Sequence, residues 1–510
     1  MSDEIQALAP EESLDPKDWT LMRALGHRMV DDMMDYIAGV SERPVWRCPP
    51  DEARDAFHQP LPRRADEPEA IYEDFRNLVL DFPLGNIHPR FWGWVCGSGT
   101  AFGMLAELLR AGMNTANVGH LEMANLVEHQ VIAWCKEMLD YPPGASGLLV
   151  DGASLANLIG LTVARGALAQ RDVRKHGLFD SQRMTLYASA EVHSSIQKAA
   201  ELLGLGSESI RIVDTDARYA IKAQELERQI RTDRTNGHQP LCIVGTAGTV
   251  NTGAFDDLVA LANIAASEQI WFHVDGAFGA FAALSPRLRH LVHGMSRADS
   301  LAFDLHKWMH MQYDVGCILV RSRAEHRRAF SLMADYIATT ERGVAANPDW
   351  FSNYGPQLSR SFRALKVWMS IREHGIDKFA RLIEQNVEHI ARLEELIDAT
   401  SELEVVAPAS LNILNYRYVT AGLSVDALNQ VNKDILSELQ EQGIAVPSST
   451  MLDGKFVLRI ANTNHRTRFE DFELLVRESV RLGRQATGSQ AGGRSRPPHT
   501  IGRGLNEHES

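Results

Sequence analysis

Apolar residues recur every four positions near the start of the chain and predict an amphipathic helix over residues 15–38. Asp15 is the predicted N-cap and Pro16 the first helical residue, because an aspartate satisfies free N–H groups and proline lacks one. The stretch 44–68 is rich in proline, arginine and aspartate, which is typical of an extended connector. We therefore predict an N-terminal helical extension over residues 1–85. The apolar positions of its helix are Leu21, Leu25, Met29, Met33 and Ile37.

Between residues 86 and 375, short apolar runs alternate with segments of helical periodicity. Runs this short and this apolar are typical of strands buried on both faces of a parallel sheet. The pattern predicts a large α/β domain with a mostly parallel central sheet. Its functional residues should lie beyond the carboxyl ends of the strands. The predicted strands are 147–151, 185–188, 210–213, 241–246, 270–274, 300–304 and 316–320.

The pattern changes after residue 375, where a long helical stretch is followed by a mixture of strands and helices. This order predicts a small C-terminal α+β domain over residues 376–484. Residues 485–510 are rich in glycine, serine, arginine and proline and predict a disordered tail. The expected strands of the small domain are 404–406, 413–418 and 455–460, and its helices are 425–442 and 469–482.

Composition narrows the possible classes of function. The 510 residues are 45% hydrophobic and carry a formal net charge of −14, which suits a large globular protein and disfavours nucleic-acid or membrane partners. The five cysteines lack the spacing of a disulfide framework or a metal site, so we predict no metal. No apolar run reaches about 18 residues and the start has no signal-like segment, so we predict a cytoplasmic protein.

Two side chains at predicted strand ends, Asp275 and Lys307, form the pair that pyridoxal 5'-phosphate (PLP) requires. A lysine amine forms a Schiff base with the cofactor aldehyde, and a carboxylate keeps the pyridine nitrogen protonated, so the ring accepts electrons. Lys307 follows an apolar strand, where burial makes an amine nucleophilic. A lone lysine is most often a surface charge, and a lone aspartate is as often a turn cap, but together they favour the cofactor.

Three further segments are candidates for the same site. Residues 151–154, with the sequence Asp-Gly-Ala-Ser, lie where a strand turns into a helix and could offer N–H groups and the Ser154 hydroxyl to a phosphate. Plain helix capping explains the same residues equally well. His193 follows another strand and is a candidate to stack on the cofactor face, opposite Asp275. Thr246 ends a third strand and is a candidate to orient the substrate carboxylate or His193.

Five motifs contain these residues, and together with a sixth motif they resemble the group II PLP-dependent amino-acid decarboxylases, in particular the aromatic-L-amino-acid decarboxylase branch. The likeness runs from about residue 15 to residue 482. It implies the type I fold of aspartate aminotransferase and a homodimer with its sites at the subunit interface. The motifs are His88-Pro89-Arg90-Phe91, Asp151-Gly152-Ala153-Ser154, His193-Ser194-Ser195, Thr246-Ala247-Gly248-Thr249, His273-Val274-Asp275-Gly276-Ala277 and Asp304-Leu305-His306-Lys307-Trp308.

The resemblance also implies roles around the cofactor ring. Lys307 would be the Schiff-base lysine and Asp275 the partner of the pyridinium nitrogen. His193 would stack on one face of the ring, and Ala277 would be the small contact on the other. The reaction that these roles imply is decarboxylation of a small-molecule L-amino acid.

Further roles around the phosphate and the reacting carbon follow from the same resemblance. Ala153 and Ser154 would contact the phosphate. Asp304 and His306 would lie beside the phosphate or the lysine, although many relatives carry asparagine at the position of Asp304. Counting forward from the Ala-Phe-Ser-Leu segment at 329–332 places Tyr336 where the family has a loop tyrosine that returns a proton to the substrate Cα.

The substrate class is less constrained than the chemistry. Phe91, Trp92 and Trp94 favour an aromatic side chain, although core packing would also explain them. A decarboxylase of glutamate, aspartate or cysteine sulfinate would need a guanidinium in the pocket, for which Arg90 and Arg360 are candidates. The same residues also allow an aromatic aldehyde synthase on this fold, an aminotransferase, or a PLP-binding protein without turnover.

Overall fold

The computed structural model describes residues 12–179, 181–332, 341–347 and 349–491. The described chain forms two compact units. The first consists of the described part of Met1–Arg43 together with Cys48–Pro83, and the second of Pro44–Arg47 together with the described part of Leu84–Ser510. A division of the second unit into domains at residues 375 and 484 stays a prediction.

The first unit is helical, and its first helix begins later than predicted. The carboxylate of Asp18 accepts the N–H groups of Thr20 at 2.7 Å and Leu21 at 3.2 Å, so Asp18 is the N-cap. The predicted cap at Asp15 is therefore wrong. The helices of this unit are α1 (Trp19–Ala38), α2 (Asp51–Asp55) and α3 (Pro68–Phe75).

Polar contacts join α1 to α3 within this unit. The Tyr72 hydroxyl donates to Asp32 at 2.8 Å, and Arg28 forms an ion pair with Glu73 at 3.0 Å. Several large apolar side chains of the same unit nevertheless remain exposed. They are Trp19, Leu21, Met22, Phe57, Leu61, Ile71, Phe75 and Val79.

The second unit contains two sheets and the remaining helices. Its strands are β1 (Phe91–Trp92), β2 (Ser146–Val150), β3 (Met184–Ser189), β4 (Ile210–Val213), β5 (Gln239–Thr246), β6 (Trp271–Asp275), β7 (Ser300–Asp304), β8 (Gly316–Val320), β9 (Leu403–Ser410), β10 (Ile413–Tyr418), β11 (Val446–Leu452) and β12 (Lys455–Ala461). Its helices are α4 (Ala101–Met113), α5 (Met123–Met138), α6 (Ala153–Leu168), α7 (Val173–His176), α8 (Ser194–Leu202), α9 (Ala223–Thr235), α10 (Leu258–Glu268), α11 (Arg323–Phe330), α12 (Ala364–His374), α13 (Ile376–Asp398), α14 (Val425–Glu441) and α15 (Phe469–Ala491).

The larger sheet has the strand order β2-β8-β7-β6-β5-β3-β4. Neighbours from β7 to β4 run parallel, whereas β8 is antiparallel to both β7 and β2. Every residue of β6, β7 and β8 is buried, as a sheet covered by helices on both faces requires. The predicted α/β fold with a mostly parallel sheet is confirmed.

The smaller sheet has the order β1-β11-β12-β10-β9 and a separate apolar core. The pattern did not predict two of its strands. β1 is only two residues long, and β11 carries Ser448, Ser449 and Thr450 in place of alternating apolar residues. Trp92 of β1 stacks on Phe472 of α15 with ring centroids 4.6 Å apart, so β1 belongs to this core.

The last described helix, α15, continues through Ala491. Composition predicts a disordered tail from residue 485 onward, whereas the structure describes residues 485–491 as the end of this helix. Helix propagation costs little once a long amphipathic segment has formed, so small polar residues continue the helix. None of the helices that the structure describes combines the length and apolar character needed to cross a lipid bilayer.

Candidate active site

Neighbouring parallel strands bring the predicted catalytic residues to one edge of the larger sheet. Asp275 is the last residue of β6 and Asp304 the last of β7, and Lys307 lies in the turn that follows. The backbone N–H of Asp304 donates to the carbonyl of Ala277 at 2.9 Å. This bond ties the two strand ends together, as expected for a site beyond the carboxyl ends of an α/β sheet.

Neutral donors hold the carboxylate of Asp275. The side-chain amide of Asn157 donates to Oδ2 at 2.9 Å, and the N–H of Ala277 donates to Oδ1 at 3.1 Å. Asp275 is only 4% exposed. Because these donors carry no charge, the negative charge of Asp275 stays available to a cation placed in the site.

A positive charge holds the second carboxylate, that of Asp304. Lys307 Nζ lies 2.8 Å from Asp304 Oδ2, and the N–H of Ala153 donates to Oδ1 at 2.6 Å. The Lys307 side chain is 23% exposed, whereas that of Asp304 is 3% exposed. Asp304 is therefore the partner of the lysine. Ala153 was predicted to contact a phosphate, but its N–H already donates a hydrogen bond to Asp304.

The first turn of α6 stays suited to an anion despite that bond. Its N-cap is Gly152, which has no side chain to occupy the free N–H groups, and Ser154 exposes its hydroxyl in the same turn. A Cβ on Gly316 would lie 2.6 Å from Asp304 Oδ1 and 2.8 Å from Gly152. Only glycine at 316 therefore lets β8 approach the Asp304 carboxylate and the start of α6 this closely.

His306 is buried beside Asp304 and is held as a neutral ring. Its Nδ1 accepts the N–H of Val315 at 3.1 Å, so its proton is on Nε2, which lies 3.6 Å from Asp304 Oδ2. Burial lowers the pKa of His306, and the nearby Asp304 carboxylate opposes that shift. The ring also packs on Tyr313, with centroids 4.4 Å apart.

His193 is the N-cap of α8 and faces the charged groups of the site. Its Nδ1 accepts the N–H of Ser195 at 3.2 Å and is 2.9 Å from the Ser195 hydroxyl. Partial burial lowers the pKa of His193, Asp275 and Asp304 raise it, and Lys307 lowers it. These four residues, predicted to share a site, therefore lie within electrostatic range of one another.

Thr246 lies directly across from Asp275, as its paired residue on β5. Its N–H donates to Asp256 Oδ2 at 2.8 Å, and its carbonyl accepts the Asp256 N–H at 3.1 Å. Burial raises the pKa of Asp256 to about 6. The structure thus places Thr246 at the site, but the hydroxyl bonded to His193 is that of Ser195.

A model of the pyridoxal-dependent decarboxylase conserved domain matches residues 50–419. The chain belongs to this family. It is a PLP-dependent amino-acid decarboxylase, which confirms the family, the cofactor and the reaction type predicted from the motifs. Tyr336, the predicted proton donor of this family's mobile loop, lies outside the described residues.

Similar proteins cover nearly the whole chain. An aromatic-L-amino-acid decarboxylase of Bacillus atrophaeus is 34% identical over 454 residues, which are 88% of this chain and 93% of the relative. Tryptophan decarboxylase 2 of Oryza sativa subsp. japonica is 29% identical over 462 residues, with coverage of 88% and 92%. The structure of Oryza sativa TDC with PLP and tryptamine superposes with a TM-score of 0.84 at 24% identity, covering 94% of this chain and all of that one.

The residues present fit the cofactor of this family. Asp275 has a carboxylate bonded by neutral donors, which suits a protonated pyridine nitrogen. Lys307 has a side chain that is 23% exposed, so its amine is accessible, and α6 begins with Gly152 and an exposed Ser154, which suits a phosphate. Within the described residues no group of side chains could hold a metal ion.

Sequence reasoning missed two kinds of site residue. Asn157 belongs to none of the predicted motifs, although it lies one helical turn from Ala153 and this spacing was a usable signal. Ser195 was predicted only as part of the motif around His193, without a role of its own. Arg459 on β12 was also missed. It is 3% exposed, its Nη1 donates to the carbonyl of Trp94 at 2.9 Å, and its Nη2 is buried without a partner among the described residues. Such contacts across hundreds of residues leave no local pattern.

The aromatic residues predicted near the substrate have different environments. Trp92 is fully buried in the core of the smaller sheet, and Phe91 is 3% exposed in a cluster with Val45 and Val446. These two pack the core and do not line an open pocket. Trp94 is 53% exposed and adopts a positive φ of 52°, so it is the one of the three that can meet a ligand.

Proposed function

We propose that the protein removes carbon dioxide from an aromatic L-amino acid and releases the corresponding amine. The names of the Bacillus atrophaeus and Oryza sativa relatives support an aromatic substrate. The choice between aromatic and acidic substrates rests on whether the candidate arginines are already bonded to other groups of the protein. An acidic side chain needs a guanidinium that is free to pair with a second carboxylate.

Of the two arginines considered for an acidic side chain, Arg360 is buried and paired in the core and Arg90 is engaged through its Nε. Arg360 is paired with Glu128, and both side chains are fully buried. Its Nη2 also donates to the carbonyl of Leu149 at 2.7 Å, so Arg360 is part of the core. Arg90 donates from Nε to the carbonyl of Ile444 at 2.8 Å. These contacts weigh against a glutamate-, aspartate- or cysteine-sulfinate-type substrate.

Arg459 is the residue we assign to the α-carboxylate that every amino-acid substrate carries. Its guanidinium has an Nη2 without a partner among the described residues, and burial lowers its pKa to about 10, which still leaves it charged at neutral pH. Both Arg459 and Lys307 act electrostatically on the Cys96 thiol, so the two cations lie in the same region. A cation that serves the α-carboxylate does not select an acidic side chain.

In the proposed reaction each residue holds a charge or a proton at a stated atom. When bound, PLP supplies an aldehyde for the substrate amine and a ring that accepts the electron pair left by carbon dioxide. Asp275 would keep the ring nitrogen protonated. Lys307 would hold the aldehyde, and Asp304 would receive the lysine ammonium at its present 2.8 Å contact when the substrate displaces it. Ser154 and the first turn of α6 would hold the phosphate.

One proton must replace carbon dioxide at the substrate Cα. His193 has its proton on Nε2, since Nδ1 accepts the Ser195 N–H, and it would cover one face of the ring while Ala277 borders the other. The assignment of the proton transfer to Tyr336 stays a prediction. His193 would assist by donating a hydrogen bond from its Nε2–H and would keep that proton, because a neutral imidazole does not give up its only N–H proton near neutral pH.

A homodimer is the second part of the proposal. The first unit exposes the apolar side chains Trp19, Leu21, Ile71 and Phe75, which a partner subunit would cover. Light scattering should give twice the chain mass of 56.7 kDa. A monomer at micromolar concentration would contradict this assignment. A cytoplasmic location stays a prediction, and cell fractionation would test it.

The deciding experiment measures products from a panel of L-amino acids with the PLP-loaded enzyme. Equimolar amine and carbon dioxide from an aromatic substrate would support the proposal. Turnover confined to glutamate, aspartate or cysteine sulfinate would overturn the aromatic assignment. Aldehyde with hydrogen peroxide would instead indicate the aldehyde-synthase reaction on the same fold.

A further inference from the structure

A continuous set of hydrogen bonds, buried except for the last one at His193, links Asp275 to His193 through Asn157, and we call it the Asn157 network. Its central members Asn157, His273 and Ser300 are fully buried. On one side of Asn157, Ser300 Oγ lies 2.8 Å from Trp271 Nε1 and 2.8 Å from His273 Nδ1, and His273 Nε2 lies 2.9 Å from Asn157 Oδ1. Asn157 Nδ2 then bonds to Asp275 Oδ2 and to Ser195 Oγ, each at 2.9 Å. Ser195 Oγ completes the network at 2.9 Å from His193 Nδ1.

The chemistry of the two ends determines the direction of every bond. An indole N–H can only donate, so the Ser300 hydroxyl accepts from Trp271 and donates its own proton to His273 Nδ1. A carboxylate can only accept, so the amide nitrogen of Asn157 faces Asp275. The amide oxygen of Asn157 must then accept the Nε2–H of His273. His273 is neutral, because complete burial lowers its pKa to about 4.

The second branch adds a hydroxyl donor to the nitrogen of His193 that the Ser195 N–H already keeps unprotonated. Asn157 donates its other amide proton to the Ser195 hydroxyl, and the Ser195 N–H already donates to His193 Nδ1 at 3.2 Å. The hydroxyl proton of Ser195 therefore points to the same nitrogen. His193 Nδ1 accepts from Ser195, so a neutral His193 carries its proton on Nε2.

The fold makes room for the network at one glycine. A Cβ on Gly160 of α6 would lie 2.8 Å from His273 Nδ1 and 3.1 Å from Ser300 Oγ. Gly160 lies three residues after Asn157, so one face of α6 both supplies the branching amide and rests on the imidazole.

We propose that Asn157 is a positioning residue that orients Asp275 toward the cofactor nitrogen and, through Ser195, presents His193 as a neutral Nε2–H donor. This inference rests on the proposed function, since both residues are assigned to the cofactor ring. A neutral imidazole is the form the site requires, because a cationic ring stacked on a protonated pyridine would be repelled by it. The Asn157 amide thus orients both Asp275, at the ring nitrogen, and His193, on the ring face.

Two substitutions separate the branches. Ser195→Ala removes the hydroxyl between Asn157 and His193 and leaves the amide bond to Asp275 in place. Asn157→Leu removes both branches at similar volume. Ser194→Ala, at the exposed neighbouring position of α8, is the matched control and should behave as the wild type.

The direct test is neutron diffraction from crystals of the holoenzyme, which locates the exchangeable hydrogens. We expect deuterium on Nε2 of both His193 and His273 and none on Nδ1 of either ring. Deuterium on Nδ1 of either histidine would overturn the proposal. This readout requires no substrate, so it is independent of which amino acid the enzyme decarboxylates.

Cofactor binding and the pH profile supply the solution test. Asn157→Leu should weaken PLP binding about tenfold or more, because a buried carboxylate loses a donor. Ser195→Ala should leave the PLP dissociation constant within about twofold but change the pH dependence of kcat. Nδ1 of His193 then loses its hydroxyl donor and keeps only the backbone N–H of residue 195, which weakens the preference for the neutral ring and raises the pKa of His193. Equal PLP binding in wild type and Asn157→Leu would overturn the Asp275 branch. An unchanged pH profile in Ser195→Ala would overturn the His193 branch.

Should Asn157→Leu fail to fold, Asn157→Asp replaces it. An acidic side chain at 157 cannot donate to Asp275 unless it is protonated, so PLP affinity should then rise as the pH is lowered. Affinity that does not depend on pH in this variant would contradict the proposed donor. A failure of the proposed function would instead appear only in the product assay.

Discussion

The two carboxylates at the ends of β6 and β7 are equally buried but are stabilised in opposite ways. Asp275, 4% exposed, is bonded by an amide and a backbone N–H, whereas Asp304, 2% exposed, is paired with the ammonium of Lys307. A buried charge is costly unless it is compensated. Asp304 is compensated by a cation of the chain, whereas Asp275 is held by neutral hydrogen-bond donors and keeps its negative charge available to a cation in the site. Asp304 is thus the ion-pair partner of the lysine, and Asp275 is the carboxylate available to the cofactor.

The largest effect should come from removing the amine on the Asp304 side. Lys307→Ala should reduce decarboxylation by roughly 10³-fold or more, because the covalent attachment of the cofactor is lost. Borohydride reduction followed by mass spectrometry should show the cofactor fixed to the wild type and absent from the variant. Lys175→Ala, at an exposed position, is the control. Fixation of cofactor to the Lys307→Ala chain would show that another amine carries it.

The next effect should come from neutralising the carboxylate that has only neutral donors. Asp275→Asn should lower kcat/KM by roughly 10²–10³-fold, since removing one partner of a buried charge pair costs about 3–5 kcal/mol. Steady-state kinetics with saturating PLP measure this loss. A decrease below about tenfold would show that Asp275 does not face the cofactor nitrogen.

The same substitution on the neighbouring strand should have a smaller effect. Asp304→Asn keeps an amide oxygen for the Ala153 N–H, but it places an NH2 group where Oδ2 accepts from Lys307, so the lysine ammonium loses its acceptor. One hydrogen bond to a partly exposed ammonium is worth about 1.5 kcal/mol, or roughly tenfold in kcat/KM. Equal losses in Asp275→Asn and Asp304→Asn would remove the distinction between the two carboxylates.

The last effect is on the stability of the fold and not on activity, and it concerns the acid sensitivity of the Asp275 side. The pKa of His273 is lowered in the fold to about 4, below the ordinary value of 6.5. The unfolded chain therefore binds more protons between these values, and the free energy of unfolding falls as pH falls from about 6.5 to about 4. The loss amounts to roughly 3 kcal/mol for this histidine.

Denaturant titrations across that pH range measure this dependence. The slope of the unfolding free energy against pH reports the number of protons taken up on unfolding. His273→Gln should reduce that number by about one, whatever its effect on stability at neutral pH. His326, whose burial lowers its pKa to about 3, titrates on the same side of neutrality and remains in both proteins. An identical slope in variant and wild type would show that His273 is not held neutral by the fold.

Local patterns predicted much of this protein. The strands 300–304 and 316–320 have the predicted bounds, because continuous apolar runs between turn residues specify buried strands. Lys307 and Asp275 were found from residue type and position after such strands. The start of α1 was misplaced because Asp18, a second aspartate close to Asp15, is the N-cap. Strand β11 was missed because serines stand where a strand pattern would have alternating apolar residues.

The sequence alone was sufficient to predict the family, the cofactor and the two charged residues at strand ends. Each of these predictions depends on short motifs, whose residues lie close together in the chain. Tertiary packing was needed to show that Arg360 belongs to the core with Glu128, that Asp304 serves Lys307, and that Asn157 joins Asp275 to His193. The reason is physical. A hydrogen bond or ion pair depends on atoms within about 3 Å, and the packing of α6 on β6 and β7 creates those distances between residues more than 100 positions apart.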